Sequence, residues 1–427
     1  MAADEDEKKG PTEKTTRRGL FKWGAAAAGS IAALGSERAQ AHPTPIHDEP
    51  ARVTYPDYDL AGRRLRNRGR GMDMRPIWEP TPPADAPTDE SAYRKFDINV
   101  KIIGHEYLPG IRTNVLAFND QVPGPLIRVK EGEWVRVDFK NETDLMHTIH
   151  WHGMLVPENM DGVPYVTQPP TMPGQTFVYR FRALPYGTHF YHCHFGTPLH
   201  MQHAMHGALI VESDDDPVRR QFPYDREYTL ILNQVNTAMT RSGLNAMLTR
   251  MRERIVLMRR NRITDETLAR FRNVQDFLRA VREGYIPPYR QSRRGPPGSP
   301  SFNIFTMNGK SYPMTPKILI KRDELIRVRL INAGSVEHYM HLHGHDFWEV
   351  CRDGAPLPHA FRGNTLPVTP GRTHDIIIEG RNPGTWTFHD HAVTRATNNG
   401  VYPGGILTVL HYEDFEPEYP ERVALDE

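Results

Sequence analysis

Residues 118–153 read FNDQVPGPLIRVKEGEWVRVDFKNETDLMHTIHWHG, and residues 307–344 repeat the pattern as MNGKSYPMTPKILIKRDELIRVRLINAGSVEHYMHLHG. Both copies alternate apolar and polar side chains between Gly and Pro residues, which is the pattern of short β-strands with one buried face. The offset between the copies stays nearly constant, at 191 residues from His150 to His341 and 197 residues from His192 to His389. The sequence therefore predicts two homologous β domains in one chain.

The domain bounds follow from where this alternation begins and ends. We expect an all-β fold of two β-sandwich domains, at residues 96–213 and 226–413. The second domain is interrupted, because YTLILNQV (228–235) predicts its first strand and the next strand signal comes only at Phe302. An Arg-rich segment at 240–300 lies between these two strands, and its apolar spacing predicts a helical insertion.

The first 41 residues are predicted to be an export signal. Arg17 and Arg18 precede an Ala-rich apolar run, and the run is followed by an Ala-Gln-Ala cleavage motif at 39–41. Because the run is too short to span a bilayer, we expect no membrane span in the mature form. The protein is expected to be periplasmic or secreted, exported by the twin-arginine pathway. A Pro- and Arg-rich arm at 42–95 and a C-terminal tail at 414–427 complete the chain.

The composition excludes several classes of protein. The 427 residues carry 53 Lys and Arg against 52 Asp and Glu, so we expect no nucleic-acid partner held by bulk positive charge. Two Cys residues are too few for a disulfide scaffold or a cysteine-based zinc array. The 21 His residues remain to be explained, by diffuse surface usage, by a pH switch or by a metal system.

The histidines concentrate in four clusters at matching places in the two repeats. Each cluster contains a His-x-His pair, and residues i and i+2 of a strand share one face, so each pair presents two imidazoles side by side. Four such pairs supply eight imidazoles, a set suited to several adjacent metal ions. The clusters are His147-Thr-Ile-His150-Trp-His152, His192-Cys193-His194 with His200 and Met205 after it, His338-Tyr-Met-His341-Leu-His343-Gly-His345, and His389-Asp390-His391.

Cys193 indicates which metal these clusters suit. His200 follows it by seven residues and Met205 follows His200 by five, and His147 adds a second imidazole. Two His, one Cys and a weak axial Met are the ligand set of a blue-copper electron-transfer site. Zinc sites more often use paired Cys residues or a closed tetrad of nitrogen and sulfur ligands. The sequence therefore favours copper.

These motifs resemble the multicopper oxidase family, specifically its two-domain, small-laccase-like members. The resemblance covers 96–413 apart from the insertion. It implies two cupredoxin-like Greek-key domains, oxidation of phenolic, aromatic or metal-ion substrates, and reduction of O₂ to water. It also implies four copper ions per chain (one type 1, one type 2 and two type 3) and no other cofactor. The matching ligand positions are His147, Cys193, His200 and Met205 for type 1, His150 and His341 for type 2, and His152, His192, His194, His343, His389 and His391 for type 3.

The second repeat departs from the blue-copper pattern. Asp390 stands where Cys193 stands in the first repeat, and although His338 matches His147, the rest of the set is missing. Only the first domain is therefore expected to hold type 1 copper. Each repeat supplies only half of the eight cluster imidazoles, so the resemblance implies that domain 1 of one subunit meets domain 2 of another in a homo-oligomer, most simply a homotrimer.

Some residues near these motifs have more than one interpretation. His203 rivals His200 as a ligand, because the Cys193–His200 interval is longer than is usual in laccases, although the spacing to Met205 favours His200. Asp161 lies in MDGVPYVTQ, which resembles the family's proton-delivery loop, and is either a catalytic proton relay or a turn residue.

Four further residues, three His and one Cys, carry metal-binding side chains outside the predicted ligand sets. His206, like His203, is either a packing residue or a solvent-facing relay, and His345 and His374 either orient ligands or pack. Cys351 lacks a partner once Cys193 binds copper, so it is expected to be buried and reduced.

Three functions are compatible with these motifs. The leading hypothesis is a laccase-like oxidase, and Met residues near the type 1 motif keep Cu(I) among the possible reductants beside phenols, Fe(II) and Mn(II). A copper nitrite reductase shares the two-domain trimeric plan but needs only a mononuclear type 2 site. A periplasmic copper-binding or electron-carrier protein needs the type 1 site alone. The eight cluster histidines favour the oxidase.

Overall fold

The computed structural model describes residues 77–164, 166–237, 302–398 and 400–416. The predicted export signal, the predicted helical insertion at 240–300 and most of the predicted arm and tail lie outside the described residues. Within the described ranges the chain forms β-strands joined by turns, together with helices α1 (Thr197–His200) and α2 (Pro217–Gln221). No helix in this part of the chain has the length and apolar character needed to cross a bilayer.

The first repeat folds into two facing sheets. Its strands are β1 (Ile77–Trp78), β2 (Tyr93–Leu108), β3 (Ile111–Phe118), β4 (Ile127–Lys130), β5 (Trp134–Asn141), β6 (His150–His152), β7 (Thr176–Arg182), β8 (Gly187–His192) and β9 (His206–Glu212). One sheet has the order β1-β7-β5-β2-β3 and the other has the order β4-β9-β8-β6.

One apolar core lies between these two sheets. Alternate residues of β5 point inward, and Val135, Val137 and Phe139 are fully buried. Trp151 and Tyr191 enter the same core from the facing sheet. Burial of each large apolar side chain contributes about 1.5–3 kcal/mol. This core therefore holds in place β6 and β8, the strands that carry the first two histidine clusters.

The second repeat forms a second pair of sheets. Its strands are β10 (Arg226–Val235), β11 (Ile304–Met307), β12 (Ile318–Ile320), β13 (Leu325–Asn332), β14 (His338–Leu342), β15 (Phe347–Arg352), β16 (Ala355–Gly363), β17 (Thr365–Val368), β18 (Thr373–Glu379), β19 (Thr385–Asp390) and β20 (Leu407–Tyr412). The sheet orders are β11-β10-β13-β18-β15-β16 and β12-β20-β19-β14-β17. A separate apolar core lies between them.

The strand pairing repeats between the two sandwiches. β2 runs parallel to β5 as β10 runs parallel to β13, and β5 pairs antiparallel with β7 as β13 pairs with β18. β6 pairs antiparallel with β8 as β14 pairs with β19. The predicted all-β class with two related sandwiches is therefore confirmed. β1, inside the predicted arm at 42–95, pairs with β7 of the first sandwich. β2 begins at Tyr93 and β20 ends at Tyr412, and the domain bounds at 96 and 413 stay predictions.

A buried charged cluster joins the two sandwiches. In the second sandwich, the side chains of Arg327 and Asp375 are fully buried, and Nη2 of Arg327 lies 2.5 Å from Oδ2 of Asp375. Asp375 accepts a hydrogen bond from the hydroxyl of Thr188 in β8 at 2.7 Å, and Arg329 donates to the same hydroxyl at 2.7 Å. Because each buried charge has a partner, its desolvation is offset. The cluster therefore anchors β8, whose last residue is His192, to the second sandwich.

Candidate metal centre

Three potential metal ligands meet inside the first sandwich. The Sγ atom of Cys193 lies 3.7 Å from Nδ1 of His147 and 3.2 Å from Nδ1 of His200. All three side chains are fully buried, and together they form a group able to hold a metal ion. Met205 is also fully buried, and its carbonyl accepts a hydrogen bond from the Cys193 amide at 3.0 Å. The fold thus brings the four residues of the predicted type 1 set into one region.

The chain path explains the long interval between Cys193 and His200. Cys193 directly follows β8, and helix α1 then adds one helical turn that ends at His200. Ala204, with a φ of 68°, reverses the chain so that Met205 leads into β9. The short helix therefore takes up the extra residues and returns the His200 imidazole to the Cys193 sulfur.

His203 and His206 lie in the protein interior. Their exposed fractions are 0% and 1%, so the interpretation of either residue as a solvent-facing relay is wrong. Among the residues that the structure describes, the metal-binding group around Cys193 includes His200 and not His203. The geometry therefore favours His200 over its rival.

The contacts of Cys351, His345 and His374 show which of these residues lie beside a predicted ligand. Cys351 is buried and free, as expected. Nδ1 of His345 lies 3.2 Å from the carbonyl oxygen of His343, and its Nε2 lies 2.8 Å from the Tyr412 hydroxyl. Nδ1 of His374 instead lies 2.7 Å from Oε1 of Glu349. His345 therefore contacts a predicted ligand, whereas the interaction of His374 is with a carboxylate of the second sandwich.

Burial sets the protonation state of the buried His and Cys group. Desolvation, together with the nearby His203, lowers the pKa of His147 to about 3, and desolvation raises the pKa of the Cys193 thiol to about 12. At neutral pH the imidazole therefore keeps a free lone pair, while the thiol has to release its proton before it binds a cation. A soft thiolate beside two imidazoles and a thioether is a donor set that fits copper.

Four imidazoles of the first sandwich form a second group. The pairing of β6 with β8 sets His150 opposite His192, with ring centroids 5.2 Å apart. The rings of His150 and His194 lie 5.4 Å apart. His150, His152 and His192 form another group able to hold a metal ion. Cys193 stands between His192 and His194 in the chain, so the backbone links the two groups directly.

Asp161 lies against His150. Nδ1 of His150 is 2.8 Å from the carbonyl oxygen of Asp161 and 3.2 Å from its carboxylate Oδ1. The loop can approach this closely because residue 162 is Gly, with a φ of 81°, and a Cβ atom there would lie 1.8 Å from the carbonyl oxygen of Ile149. The carboxylate therefore lies next to a predicted type 2 ligand, while its role in proton transfer stays a prediction.

The second sandwich carries a matching set of four imidazoles. His341 lies opposite His389 in the pairing of β14 with β19, as His150 lies opposite His192. The rings of His341 and His391 are 5.3 Å apart, and Nε2 of His343 lies 3.0 Å from Nε2 of His389. His341 and His343 line an open groove of 530 Å³. The side chains of His343 and His391 are exposed.

The two four-imidazole groups belong to different sandwiches. Across the described ranges, every group of three or more side chains placed to hold a metal lies in the first sandwich. The second group forms no such site by itself, although its rings are close together. The expectation that the two repeats share one set of ligands stays a prediction.

An acid replaces the Cys in the second sandwich. Asp390 and His338 are both fully buried, with Oδ2 of Asp390 2.7 Å from Nδ1 of His338. The other carboxylate oxygen accepts hydrogen bonds from the amides of Tyr339 and Ala392, each at 3.0 Å. A hydrogen-bonded acid and imidazole thus occupy the place that the His and Cys of the predicted type 1 set occupy in the first sandwich.

The sequence reasoning missed Thr143 and the residue that supports it. Oγ1 of Thr143 lies 2.8 Å from Nε2 of His147, and Asn141 holds this hydroxyl in place. A signal was available in the repeat, because Asn141 and Asn332 each stand six residues before the first His of a cluster.

Comparisons with known proteins connect this geometry to a family. Residues 100–216 match one multicopper oxidase family model and residues 285–402 match a second. The chain is 26% identical over 339 residues to the copper resistance protein A homolog of Pseudomonas syringae pv. tomato, covering 77% of this chain and 54% of that protein. It spans about half the length of the curated relatives it matches.

Solved structures show the same likeness over most of their length. The blue copper oxidase from Nitrosomonas europaea is 33% identical with a TM-score of 0.63, over 78% of this chain and 91% of that one. The multicopper oxidase mgLAC is 32% identical with a TM-score of 0.61, over 78% and 90% of the two chains. The two family models together match more than half of the chain. The chain therefore belongs to the multicopper oxidase family, a family of copper-dependent oxidoreductases.

Proposed function

We propose that this protein is a laccase-like oxidase that couples one-electron oxidation of a phenolic, aromatic or metal-ion substrate to the reduction of O₂ to water. The observation that carries the proposal is the combination of a buried His-Cys-His group with two matching four-imidazole groups. Cys193 belongs to the first group, and its chain neighbours His192 and His194 belong to the second. A simple electron carrier would not need the eight additional imidazoles.

The proposed ligand sets are those that the sequence predicts. When bound, copper supplies the redox chemistry, in which O₂ takes up four electrons and four protons to give two water molecules. The type 1 set is His147, Cys193, His200 and Met205, the type 2 pair is His150 and His341, and the type 3 set is His152, His192, His194, His343, His389 and His391.

The chain's own residues supply position, exclusion of water and protons. Cys193 joins the two ligand sets through covalent bonds, and its side chain is sealed from water by the first core. Asp161, with its carboxylate 3.2 Å from Nδ1 of His150, is proposed to deliver protons on the type 2 side.

We propose further that the active form is a homotrimer with the trinuclear cluster between subunits. Domain 1 of one subunit would supply its four imidazoles, and domain 2 of the next would supply its own four, of which His343 and His391 are exposed. The paired arginines and the cleavage motif near the N-terminus support export by the twin-arginine pathway to the periplasm or outside the cell.

Copper counting combined with oxygen uptake tests the proposed function. The oxidase needs four copper ions per chain, a copper nitrite reductase needs two and an electron carrier needs one. We expect four ions per chain in the wild type, with O₂ consumed and no nitrite turnover. Two ions per chain with nitrite turnover and no O₂ uptake would overturn the proposal in favour of the reductase.

A single substitution separates the two kinds of site. Cys193→Ser is expected to abolish the blue absorbance and the oxidation of reductants, because the thiolate is lost. Copper should still load at the eight-imidazole set. A screen of phenols, Cu(I), Fe(II) and Mn(II) by oxygen consumption would then identify the class of reductant that the wild type oxidises.

A further inference from the structure

A buried turn precedes His147 in the first sandwich. The side-chain amide of Asn141 donates to the carbonyls of Leu145 and Thr171 at 2.6 and 3.0 Å. These two acceptors orient the amide, so its Oδ1 faces the other way and accepts from the Thr143 amide at 3.0 Å. Asn141 is fully buried and Thr143 is 7% exposed. The turn is therefore held by hydrogen bonds that water does not replace.

The orientation of Asn141 determines where the Thr143 hydroxyl proton goes. That hydroxyl carries one proton, and Oδ1 of Asn141 accepts it at 2.9 Å, with the Leu145 carbonyl a more distant alternative at 3.4 Å. Two acceptor oxygens do not lie 2.9 Å apart without a proton between them, so the hydroxyl gives its proton to Oδ1 of Asn141 and not to Nε2 of His147. The hydroxyl oxygen therefore acts as an acceptor toward Nε2 of His147, 2.8 Å away. Nε2 of His147 must then carry the imidazole proton. Nδ1, which faces the Cys193 sulfur at 3.7 Å, keeps its lone pair.

The second sandwich repeats the turn without the hydroxyl. The side-chain amide of Asn332 donates to the carbonyls of Val336 and Val368, both at 2.8 Å, and its Oδ1 accepts from the Gly334 amide at 2.9 Å. Gly334 occupies the position of Thr143 in the repeat. The same backbone turn therefore exists in both sandwiches, and only the first adds a group that reaches the histidine.

The histidine of the second turn adopts the opposite arrangement. Nε2 of His338 is buried and has no hydrogen-bond partner in the described part of the chain. Its Nδ1 lies 2.7 Å from the Asp390 carboxylate, an arrangement in which Nδ1 carries the proton and donates it. The hydroxyl is thus present in the sandwich where Nδ1 faces a thiol, and absent where Nδ1 is a donor to an acid.

We propose that Thr143 is a positioning residue that holds His147 as the Nε2–H tautomer and directs Nδ1 toward copper. The proposal rests on the proposed function of His147 and Cys193 as type 1 ligands. A hydrogen bond to the second nitrogen of a ligating imidazole sets its tautomer and ring orientation and raises its basicity, and loss of such a contact weakens metal affinity by about 10- to 100-fold.

Three variants of the full-length protein test this role. Thr143→Val removes the hydroxyl and Thr143→Ser keeps it. Thr171→Val is the matched control, because Thr171 is also buried beside His147 and its hydroxyl has no partner among the described residues. Copper is withdrawn from each protein by a competing chelator while the blue absorbance is followed. We expect Thr143→Val to bind type 1 copper about 10- to 100-fold more weakly, with Thr143→Ser and Thr171→Val close to the wild type.

Copper-free protein labelled with ¹⁵N-histidine tests the tautomer without relying on copper binding. We expect His147 to be protonated at Nε2 in the wild type and in Thr143→Ser, and to lose this preference in Thr143→Val. A proton on Nδ1 of His147 in the wild type would overturn the inference, as would a Thr143→Val protein that holds blue copper as tightly as Thr171→Val. The expected tautomer in a wild-type protein that binds no blue copper would uphold the hydrogen bond and overturn the proposed function instead.

Discussion

The Asp161 carboxylate can be tested separately from the backbone that carries it, because both contact His150. Asp161→Asn keeps the carbonyl that lies 2.8 Å from Nδ1 of His150 and removes only the carboxyl group that is proposed to deliver protons. General acid catalysis typically contributes about 10²- to 10⁴-fold, so we expect O₂ reduction to fall by about 100-fold or more with copper content unchanged. Steady-state oxygen uptake and metal analysis measure the two quantities. Full turnover across the pH range would show that Asp161 is only a turn residue.

Neutral buried imidazoles predict that acid destabilises the copper-free protein. Desolvation lowers the pKa of His147 to about 3 and of His206 to about 4, and desolvation with the nearby His150 lowers the pKa of His152 to about 4, all from an ordinary value of 6.5. Between these values the unfolded chain binds more protons than the folded chain. The contribution of these neutral histidines to the free energy of unfolding is therefore fully present above their ordinary pKa of 6.5. The free energy of unfolding falls as the pH drops toward 4, by up to about 1.4 kcal/mol per pH unit for each such histidine.

Thermal unfolding of the copper-free protein between pH 7.5 and pH 5 checks this dependence. The melting temperature should fall with pH in the wild type. His206→Leu should make the fall shallower, because it removes one of these imidazoles and none of the proposed ligands. A melting temperature that does not change over this interval would contradict the prediction.

At the scale of the element, the loop after the short 3₁₀ turn Glu158–Met160 depends on one glycine. A Cβ atom at residue 162 would meet the Ile149 carbonyl at 1.8 Å, so Gly162→Ala has to push the loop, and Asp161 with it, away from His150. A displacement of about 1 Å can reduce catalysis by about 100-fold. We expect a loss of O₂ turnover of this order while the blue absorbance remains.

Gly110→Ala is the control for backbone strain in this loop experiment. Gly110 has a φ of 78°, close to that of Gly162, but a Cβ atom there would meet no atom within 4 Å. Strain alone should cost about 1–2 kcal/mol of stability in either variant. If both variants lose oxygen turnover equally, the close approach of the loop to His150 is not what matters.

At the scale of the whole molecule, a shared cluster predicts that two inactive proteins restore activity to each other. His150→Ala disables the first sandwich's set and His341→Ala disables the second's. In mixed forms of the proposed trimer, an intact domain 1 from one variant would meet an intact domain 2 from the other, and random mixing should restore about a quarter of the wild-type clusters. Refolding the two variants together and measuring oxygen uptake checks this. A cluster completed within one chain would leave the mixture inactive.

Much of the fold, and the residues of the candidate metal centre, could be predicted from sequence because both depend on local patterns. The alternation in 118–153 and its repeat predict the strands, since each strand must turn one face to a core. The types of ligand are equally local, because Cys193 and its flanking histidines are adjacent in the chain. The short helix that ends at His200 was not predicted, because four residues carry too little local pattern to show a helix. The reason for the long interval between Cys193 and His200 becomes clear only in the folded chain, where the helix brings the His200 imidazole back to the Cys193 sulfur.

The sequence by itself determined the two related β-sandwiches, and it predicted a copper-type donor set divided between the repeats. Tertiary structure alone decided that His203 and His206 are buried, that Asp161 lies against His150, and that the Thr143 hydroxyl lies 2.8 Å from Nε2 of His147. These features depend on which side chains other strands bring to the same place. The burial of a side chain, the position of its proton and its pKa depend on these neighbouring residues, because desolvation and hydrogen bonding act through space rather than along the chain.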